Sequence, residues 1–358
     1  MRVLHVDPER GWGGGEVQVV ALVRQLAARG HTSTVAADPT GRLAPAATAC
    51  GVRVAPLRIV NHFDVRAALA LRRLVPEHDV VHFHTARALA LAPLCRRRGV
   101  RLVVTRRMDY VPAGGPYVRY LYNRAVDAVI AISGGVREAL LRVGVRPERI
   151  RVVPSGIDVD AFVAPPGARE ARRQEWAVGL GEMAVVVPGA LERRKGHAVL
   201  LAAAAWLPPG LPRLRFIFCG DGREAAALAG AAAPLDGAVH FAGFREDMAA
   251  CLAAADVVVL PSLLEGLGVA ALEAMAAARP VVASRVGGLA EAIVHEETGL
   301  LVPPGEPVAL AVALARLAGD ADLRARLGAA GRMRVCARYT SAHMAEGTLA
   351  CYEGRPCA

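Results

Sequence analysis

Residues 257–275 read VVVLPSLLEGLGVAALEAM, and this stretch sets the fold class. Val257–Leu260 is an unbroken aliphatic run, as expected of a strand buried on both faces. Pro261 and Ser262 end it, Glu265-Gly266-Leu267-Gly268 forms a loop, and Val269–Ala278 resumes as an Ala- and Leu-rich helix. The same alternation recurs along nearly the whole chain. Strands are expected at Arg2–Asp7, Thr32–Ala37, Val80–His84, Leu102–Thr105 and Ala128–Ile132, and again at Ala184–Pro188, Leu214–Cys219, Val257–Leu260, Val281–Ser284 and Gly299–Val302. Helices are expected between them, among others at Gly15–Ala28, Arg119–Val126, Gly135–Val143 and His197–Trp206. This pattern predicts an α/β protein with parallel sheets covered by helices.

The chain has 358 residues, enough for about two domains with their own cores. The rhythm breaks between Pro154 and Gly181, where Pro165-Pro166-Gly167 precedes a charged stretch, so the joint is expected there. Two doubly wound domains facing each other would bind ligands at the carboxyl ends of their strands, in the intervening cleft.

Composition narrows the class. A hydrophobic fraction of 54% excludes disorder. The longest apolar run, Ala198–Leu207, is well short of the roughly 20 residues that span a bilayer. The start, Met1-Arg2-Val3-Leu4-His5-Val6-Asp7, reads as a first strand and not as a signal peptide. Seven cysteines without a Cys-x-x-Cys pair point to reduced thiols and a cytoplasmic setting.

The net charge of +10 has an unusual make-up, because Lys195 is the sole lysine among 43 basic residues. A coding bias that exchanges Lys for Arg wherever tolerated makes that survivor a candidate for a role only a compact point charge can fill. The positive balance fits nucleic acid, an anionic membrane face or phosphorylated small molecules. No aromatic-rich basic stripe supports single-stranded nucleic acid, so most of this charge reads as solvated surface.

Several segments carry candidate chemistry. Gly13-Gly14-Gly15-Glu16 lies between the first strand and a helix, where glycines let backbone N–H groups approach a phosphate. A plain tight turn accounts for it equally well. Gly220-Asp221-Gly222-Arg223-Glu224-Ala225 fits a G-x-G-x-x-A loop, yet no acidic residue follows in Val239–Gly243 as a dinucleotide site requires. Asp158-Val159-Asp160 and Asp320-Ala321-Asp322 both have D-x-D spacing, and two hits in one chain show how cheap that pattern is. No metal site is expected. His82 and His84 alternate on a strand and so point the same way, as packed core histidines or as catalytic groups. Glu265 and Glu273 stand eight apart, one in the loop and one on the helix, with the N–H groups of Gly266, Leu267 and Gly268 forming an anion site. Spacing alone leaves open that both glutamates are merely exposed.

Together these residues resemble the retaining glycosyltransferases of family 4, which have the two-domain GT-B fold. The match runs in order over nearly the whole chain: Gly13-Gly14-Gly15-Glu16, Val153-Pro154-Ser155-Gly156-Ile157-Asp158, Arg193-Arg194-Lys195-Gly196-His197, Glu265 to Glu273, Val286-Gly287-Gly288 and Thr298-Gly299-Leu300. Ser155 stands where the family usually has Asn. Ala190 stands where many relatives carry an Arg after the glycine, so the basic role passes to Arg194 or Arg193. The resemblance implies an acceptor-binding Rossmann-like domain over residues 1–160, a nucleotide-sugar-binding one over 161–340, and a helix over 341–358 crossing back to the first.

It further implies a hexosyltransferase that uses a UDP-, GDP- or ADP-sugar as donor substrate, with no cofactor and no metal. Lys195, Arg194 and the loop Gly266–Gly268 would stabilise charge on the leaving diphosphate. Glu265 would hold sugar hydroxyls and Glu273 the ribose, while His84 matches the histidine that contacts the sugar from the first domain. Gly14, Gly15 and Gly220 complete the expected nucleotide-sugar contacts. The acceptor is expected to be a glycan or lipid-linked glycan of envelope polysaccharide or lipopolysaccharide synthesis, handled in the cytoplasm at the inner, anionic face of the membrane. Thr105-Arg106-Arg107-Met108-Asp109-Tyr110 is the expected acceptor loop. The competing classes are a nucleotide-sugar epimerase on the same fold and a non-catalytic module for nucleic acid or other anions.

Overall fold

The computed structural model describes residues 1–108, 115–235 and 237–355; Asp109 and Tyr110 of the expected acceptor loop lie outside them. The chain divides into two units, Met1–Ile157 with Ser341–Ala358, and Asp158–Thr340.

The first unit holds a sheet of seven strands among the described residues: β1 (Arg2–Asp7), β2 (Thr32–Ala37), β3 (Arg53–Pro56), β4 (Val80–Phe83), β5 (Arg101–Arg106), β6 (Ala128–Ala131) and β7 (Ile150–Val152). Their order is β3-β2-β1-β4-β5-β6-β7, and every pairing is parallel. The second unit repeats the plan with β8 (Met183–Pro188), β9 (Leu214–Cys219), β10 (Val239–Gly243), β11 (Val257–Leu260), β12 (Val281–Ser284) and β13 (Leu300–Val302), ordered β10-β9-β8-β11-β12-β13 and likewise parallel. Each sheet therefore grows outward in both directions from a central pair, β1/β4 in one unit and β8/β11 in the other. That reversal of winding opens a crevice at the carboxyl ends of the central strands, because consecutive helices leave to opposite faces.

Both faces of these strands are apolar because both are covered. Val3, Leu22, Leu26 and Val103 pack with Met344, Ala345 and Tyr352 in one cluster of the first unit, and Val19, Val23, Val35 and Leu43 form a second one. In the second unit Val185, Val187, Phe216, Phe218 and Val259 pack against Leu200, Leu310 and Leu314. The helix Ser341–Glu353 belongs to the first unit. Gln25 donates to Ser341 Oγ at 3.0 Å, and the Tyr352 hydroxyl shares a 2.7 Å hydrogen bond with His82 Nδ1.

Several boundaries differ from the expectation. β3 and β7 are short edge strands with charged or proline residues, too weakly patterned to be read. His84 lies one residue past β4, although its N–H still bonds the Val6 carbonyl at 3.0 Å. The helix expected over Arg119–Val126 starts at Pro116, whose fixed φ suits a first turn, and becomes a π-helix over Leu121–Ala125. The helix expected over Val269–Ala278 stops at Ala276, and Ala278 takes the left-handed conformation ahead of Pro280.

Replacing Tyr352 with Phe leaves His82 Nδ1 buried without that partner, a loss of about 1–3 kcal/mol. Thermal and urea denaturation should show the variant less stable than the parent, with helicity unchanged. Equal stability would mean that the hydroxyl does not hold the terminal helix.

Candidate functional site

The candidate centre of the second unit lies at its switch point. The loop after β8 carries Gly189–Lys195 and the loop after β11 carries Pro261–Gly268. The chain binds these loops together directly. The N–H groups of Leu263 and Leu264 donate to the Arg194 carbonyl at 2.7 and 3.3 Å. Gly196 has φ +67°, and a Cβ there would lie 1.9 Å from the Pro261 carbonyl oxygen, so only glycine fits. Residues 70 apart in sequence thereby meet: Lys195 Nζ donates to Glu265 Oε2 at 2.5 Å. Their side chains are only 14% and 10% exposed. Ser262 Oγ donates to the same oxygen at 3.3 Å.

Around this pair the field of one lysine is felt by two neighbours. Burial pushes the Glu273 carboxyl up to about 7, with the Lys195 charge opposing that rise. Burial, reinforced by Lys195, pushes His197 down to about 4, so its imidazole is neutral near pH 7. Glu265 is thus buried and paired, which removes the alternative of a merely exposed residue. Glu273 lies in the first turns of the helix Val269–Ala276. Leu267 is buried, Gly268 adopts φ +81°, and the Gly266 carbonyl accepts from the Gly288 N–H at 3.1 Å. Arg194 is taken up by Glu192 at 2.7 Å, whereas Arg193 is exposed.

Other candidates receive structural explanations. A Cβ on Gly220 would come within 2.0 Å of the Gly189 carbonyl oxygen, and one on Gly222 within 2.3 Å of that of Leu191. Close packing of two backbones therefore accounts for the G-x-G-x-x-A spacing. Asp320 caps the helix that follows it, accepting from the Leu323 N–H at 2.8 Å, and Asp158 accepts from the Asp160 N–H at 3.3 Å.

In the first unit the switch point lies between β1 and β4. Gly14 and Gly15 open the helix Gly14–Ala28, and the Glu16 carboxylate folds back to accept the Gly13 N–H at 2.7 Å. Asp7, at the end of β1, is pushed up to about 7 by burial and then by Glu16. His84 is buried, and both its ring nitrogens are engaged. Arg107 donates through Nη2 to His84 Nδ1 at 3.2 Å and through Nη1 to the His84 carbonyl at 3.2 Å. A guanidinium can only donate, so His84 Nδ1 accepts and the proton sits on Nε2, facing His5 Nδ1 at 3.0 Å. Burial, then the His82 and Arg107 charges, hold His84 well below its ordinary value.

His5, His82 and His84 have nitrogen atoms within 4.8 Å of one another, and they form the one group with metal-ligand spacing among the described residues. His82 spends its nitrogens on Tyr352 and on Thr105 Oγ1 at 2.6 Å. A cation would have to displace these bonds against the Arg107 charge. Sequence reasoning missed His5 and the part played by Arg107. The register that sets His5 opposite His82 becomes visible only once β1 and β4 are known to be neighbours.

Two doubly wound parallel units of this order form the fold of a GT-B glycosyltransferase, and comparison with known proteins gives the same class. The model of "Glycosyltransferase Family 4" matches residues 12–161, and that of "Glycosyl transferases group 1" matches residues 182–320. The alpha-maltose-1-phosphate synthase of Mycolicibacterium smegmatis is 33% identical over 96% of each chain. A GDP-mannose-dependent alpha-(1-6)-phosphatidylinositol monomannoside mannosyltransferase of the same organism is 32% identical over 74% of each. Anabaena HepE, solved with UDP, superposes with a TM-score of 0.89 at 23% identity, covering 99% of this chain and 100% of that one. This chain belongs to the family 4, or group 1, glycosyltransferases.

Glu273 carries a testable cost. Its carboxyl titrates near 7 in the fold against an ordinary 4.5. The favourable neutral form is therefore fully present below pH 4.5 and is lost as pH rises through about 7. Glu273→Gln should melt about 2–4 °C above the parent at pH 8, with the gap closing toward pH 4.5. A gap independent of pH would place the carboxyl in water.

Proposed function

We propose that this glycosyltransferase moves a hexose-type sugar from a nucleoside-diphosphate sugar to a glycan or lipid-linked acceptor, with retention of configuration and without a metal ion. The observation that carries the reading is the half-buried lysine at the second unit's switch point, beside a glycine-bearing loop and two carboxyls. A diphosphate seated there meets Lys195, Arg193 or Arg194, and the backbone of Gly266–Gly268. As the bond between the anomeric carbon and the β-phosphate oxygen breaks, negative charge grows on that phosphate. Fixed positive groups in a partly dry site stabilise it without reorganising. The acceptor oxygen forms the new bond on the same face, and its proton passes to the leaving phosphate. Glu265 holds sugar hydroxyls and Glu273 the ribose. Gly14, Gly15 and His84 stand at the switch point of the first unit, which we assign to the acceptor; a sugar contact from His84 requires releasing one of its ring bonds. The HepE structures with UDP and UDP-glucose support this class of donor.

We assign the acceptor to envelope glycan synthesis, lipopolysaccharide included, at the inner membrane face. The relative that acts on a phosphatidylinositol mannoside supports a lipid-linked acceptor. Among the described residues no helix is long and apolar enough to cross a membrane; the contact we assign is peripheral. Phe63, Val65, Leu69 and Tyr120 of the first unit are exposed, and the Phe63 and Tyr117 rings lie 6.1 Å apart. Arg66, Arg72, Arg73 and Arg119 accompany them, a combination suited to an anionic surface. Co-sedimentation should show binding to vesicles containing anionic lipid, weakened by Phe63→Ser. Equal sedimentation with purely zwitterionic vesicles removes the charge argument.

Thermal melts with UDP, GDP and ADP, each with and without EDTA, test the donor. At about 100 times its dissociation constant a ligand adds roughly 2.7 kcal/mol. A shift from one of the three that survives EDTA is expected, and a shift abolished by EDTA refutes the metal-free site. Lys195→Arg should lower turnover by about tenfold or more, because a planar fork cannot replace the point charge. Parent-like turnover would remove the phosphate role.

A further inference from the structure

Lys195 is the group best placed to receive a diphosphate, yet in this structure it is already committed. Its ammonium lies against Glu265 Oε2 at 2.5 Å, and Ser262 anchors that same oxygen. The pair is nearly closed off from water, so the mutual field of the charges is weakly screened. An anion arriving at Lys195 therefore meets the ammonium together with a carboxylate held beside it. A lysine has three N–H donors and can serve both anions, but the like charges of carboxylate and phosphate oppose each other at that range. Neither of the two titratable neighbours that feel Lys195 relieves this. Glu273 is acidic, and burial with the Lys195 charge keeps His197 neutral near pH 7.

An intact nucleotide sugar offers compensation that a free nucleoside diphosphate lacks. Sugar hydroxyls can donate to Glu265, whose Oε2 is engaged by Lys195 and Ser262, and hydrogen bonds to a charged acceptor are the stronger kind. We propose that Glu265 is a specificity residue for the donor state: by competing with the diphosphate for Lys195, it lowers affinity for the spent nucleoside diphosphate while the hydroxyls of an intact donor offset that penalty. This inference rests on the donor reading given above. Its consequence is easier release of the spent nucleotide, and product release is the step that limits turnover in many enzymes.

The test is calorimetric titration of the full chain with UDP, GDP and ADP, for the parent, Glu265→Gln and Glu265→Asp, with melting curves confirming each fold. Gln keeps the shape and removes the charge; Asp withdraws the carboxylate by one methylene and covers the case in which Gln fails to fold. The nucleoside diphosphate that binds the parent should bind Glu265→Gln about tenfold tighter, the scale of one pK unit of lost repulsion. The matching nucleotide sugar should gain little or lose affinity. Adding Lys195→Met to Glu265→Gln should abolish the gain, because no cation remains to be freed. Unchanged or weaker binding of the nucleoside diphosphate by a folded Glu265 variant overturns the proposal and leaves the donor reading standing. Failure of all three to bind the parent overturns the donor reading itself.

Discussion

The parallel pairing of β8 with β11, and of β1 with β4, is the constraint on which both units depend. A parallel neighbour requires a crossover that covers one face of the sheet. At the central pair the two crossovers leave to opposite faces, so no helix lies over the ends of those strands. The loops that emerge there are free to carry chemistry because the core does not need them. In the second unit the arrangement brings Lys195 to Glu265; in the first it brings His84 to His5 and Arg107. Gly196 shows how tightly the loops close, since any side chain there would strike the Pro261 carbonyl.

Each switch point also sets a cation among several groups that burial drives toward neutrality. Lys195 faces Glu265 and acts on Glu273 and His197; Arg107 faces His84 and acts on Asp7 and Glu16. In both places burial drives carboxyls up and imidazoles down, away from the charged form. The charged partners are few and held by short contacts, while the neighbours are poised near neutrality. A site of this kind resists reorganisation and stays sensitive to the charge of whatever enters it, which suits chemistry in which a phosphate becomes more negative.

Much of this was legible in the sequence because a buried parallel strand cannot hide. Val257–Leu260 and Val281–Ser284 were read to the residue, since a run apolar on both faces has one explanation. Arg53–Pro56 and Ile150–Val152 were not, because edge strands carry polar or proline residues that resemble loop. Glu265 and Lys195 could each be singled out, one by its loop and the other by its rarity. Their contact could not, because it depends on strand order. Gly220 illustrates how one residue type can have two reasons: its spacing suggested a ligand, and the backbone of Gly189 requires a glycine there as well. His84 was read either as a packed core histidine or as a cleft group; its ring nitrogens meet Arg107 and His5, neither of which local sequence could pair with it.

The survival of a single lysine among 43 basic residues now has a physical account. The Lys195 stem runs past Gly189, whose missing side chain leaves its Cα facing the lysine methylenes; a Cβ there would lie 3.8 Å from Cδ and Cε. At the end of that stem a compact ammonium contacts one carboxylate oxygen and keeps two further donors for an incoming ligand. A guanidinium at this position would engage Glu265 with a planar fork, the bidentate geometry it favours. That would strengthen the pair already present and leave less for a phosphate. The coding pressure that turned the other basic positions into arginine would thus have been resisted where a shared cation is needed instead of a fully committed one. Elsewhere in the chain arginine serves well because commitment is the purpose, as where Arg169 and Arg173 bind the carboxylate of Asp256, the residue before β11, at 2.6 and 2.8 Å.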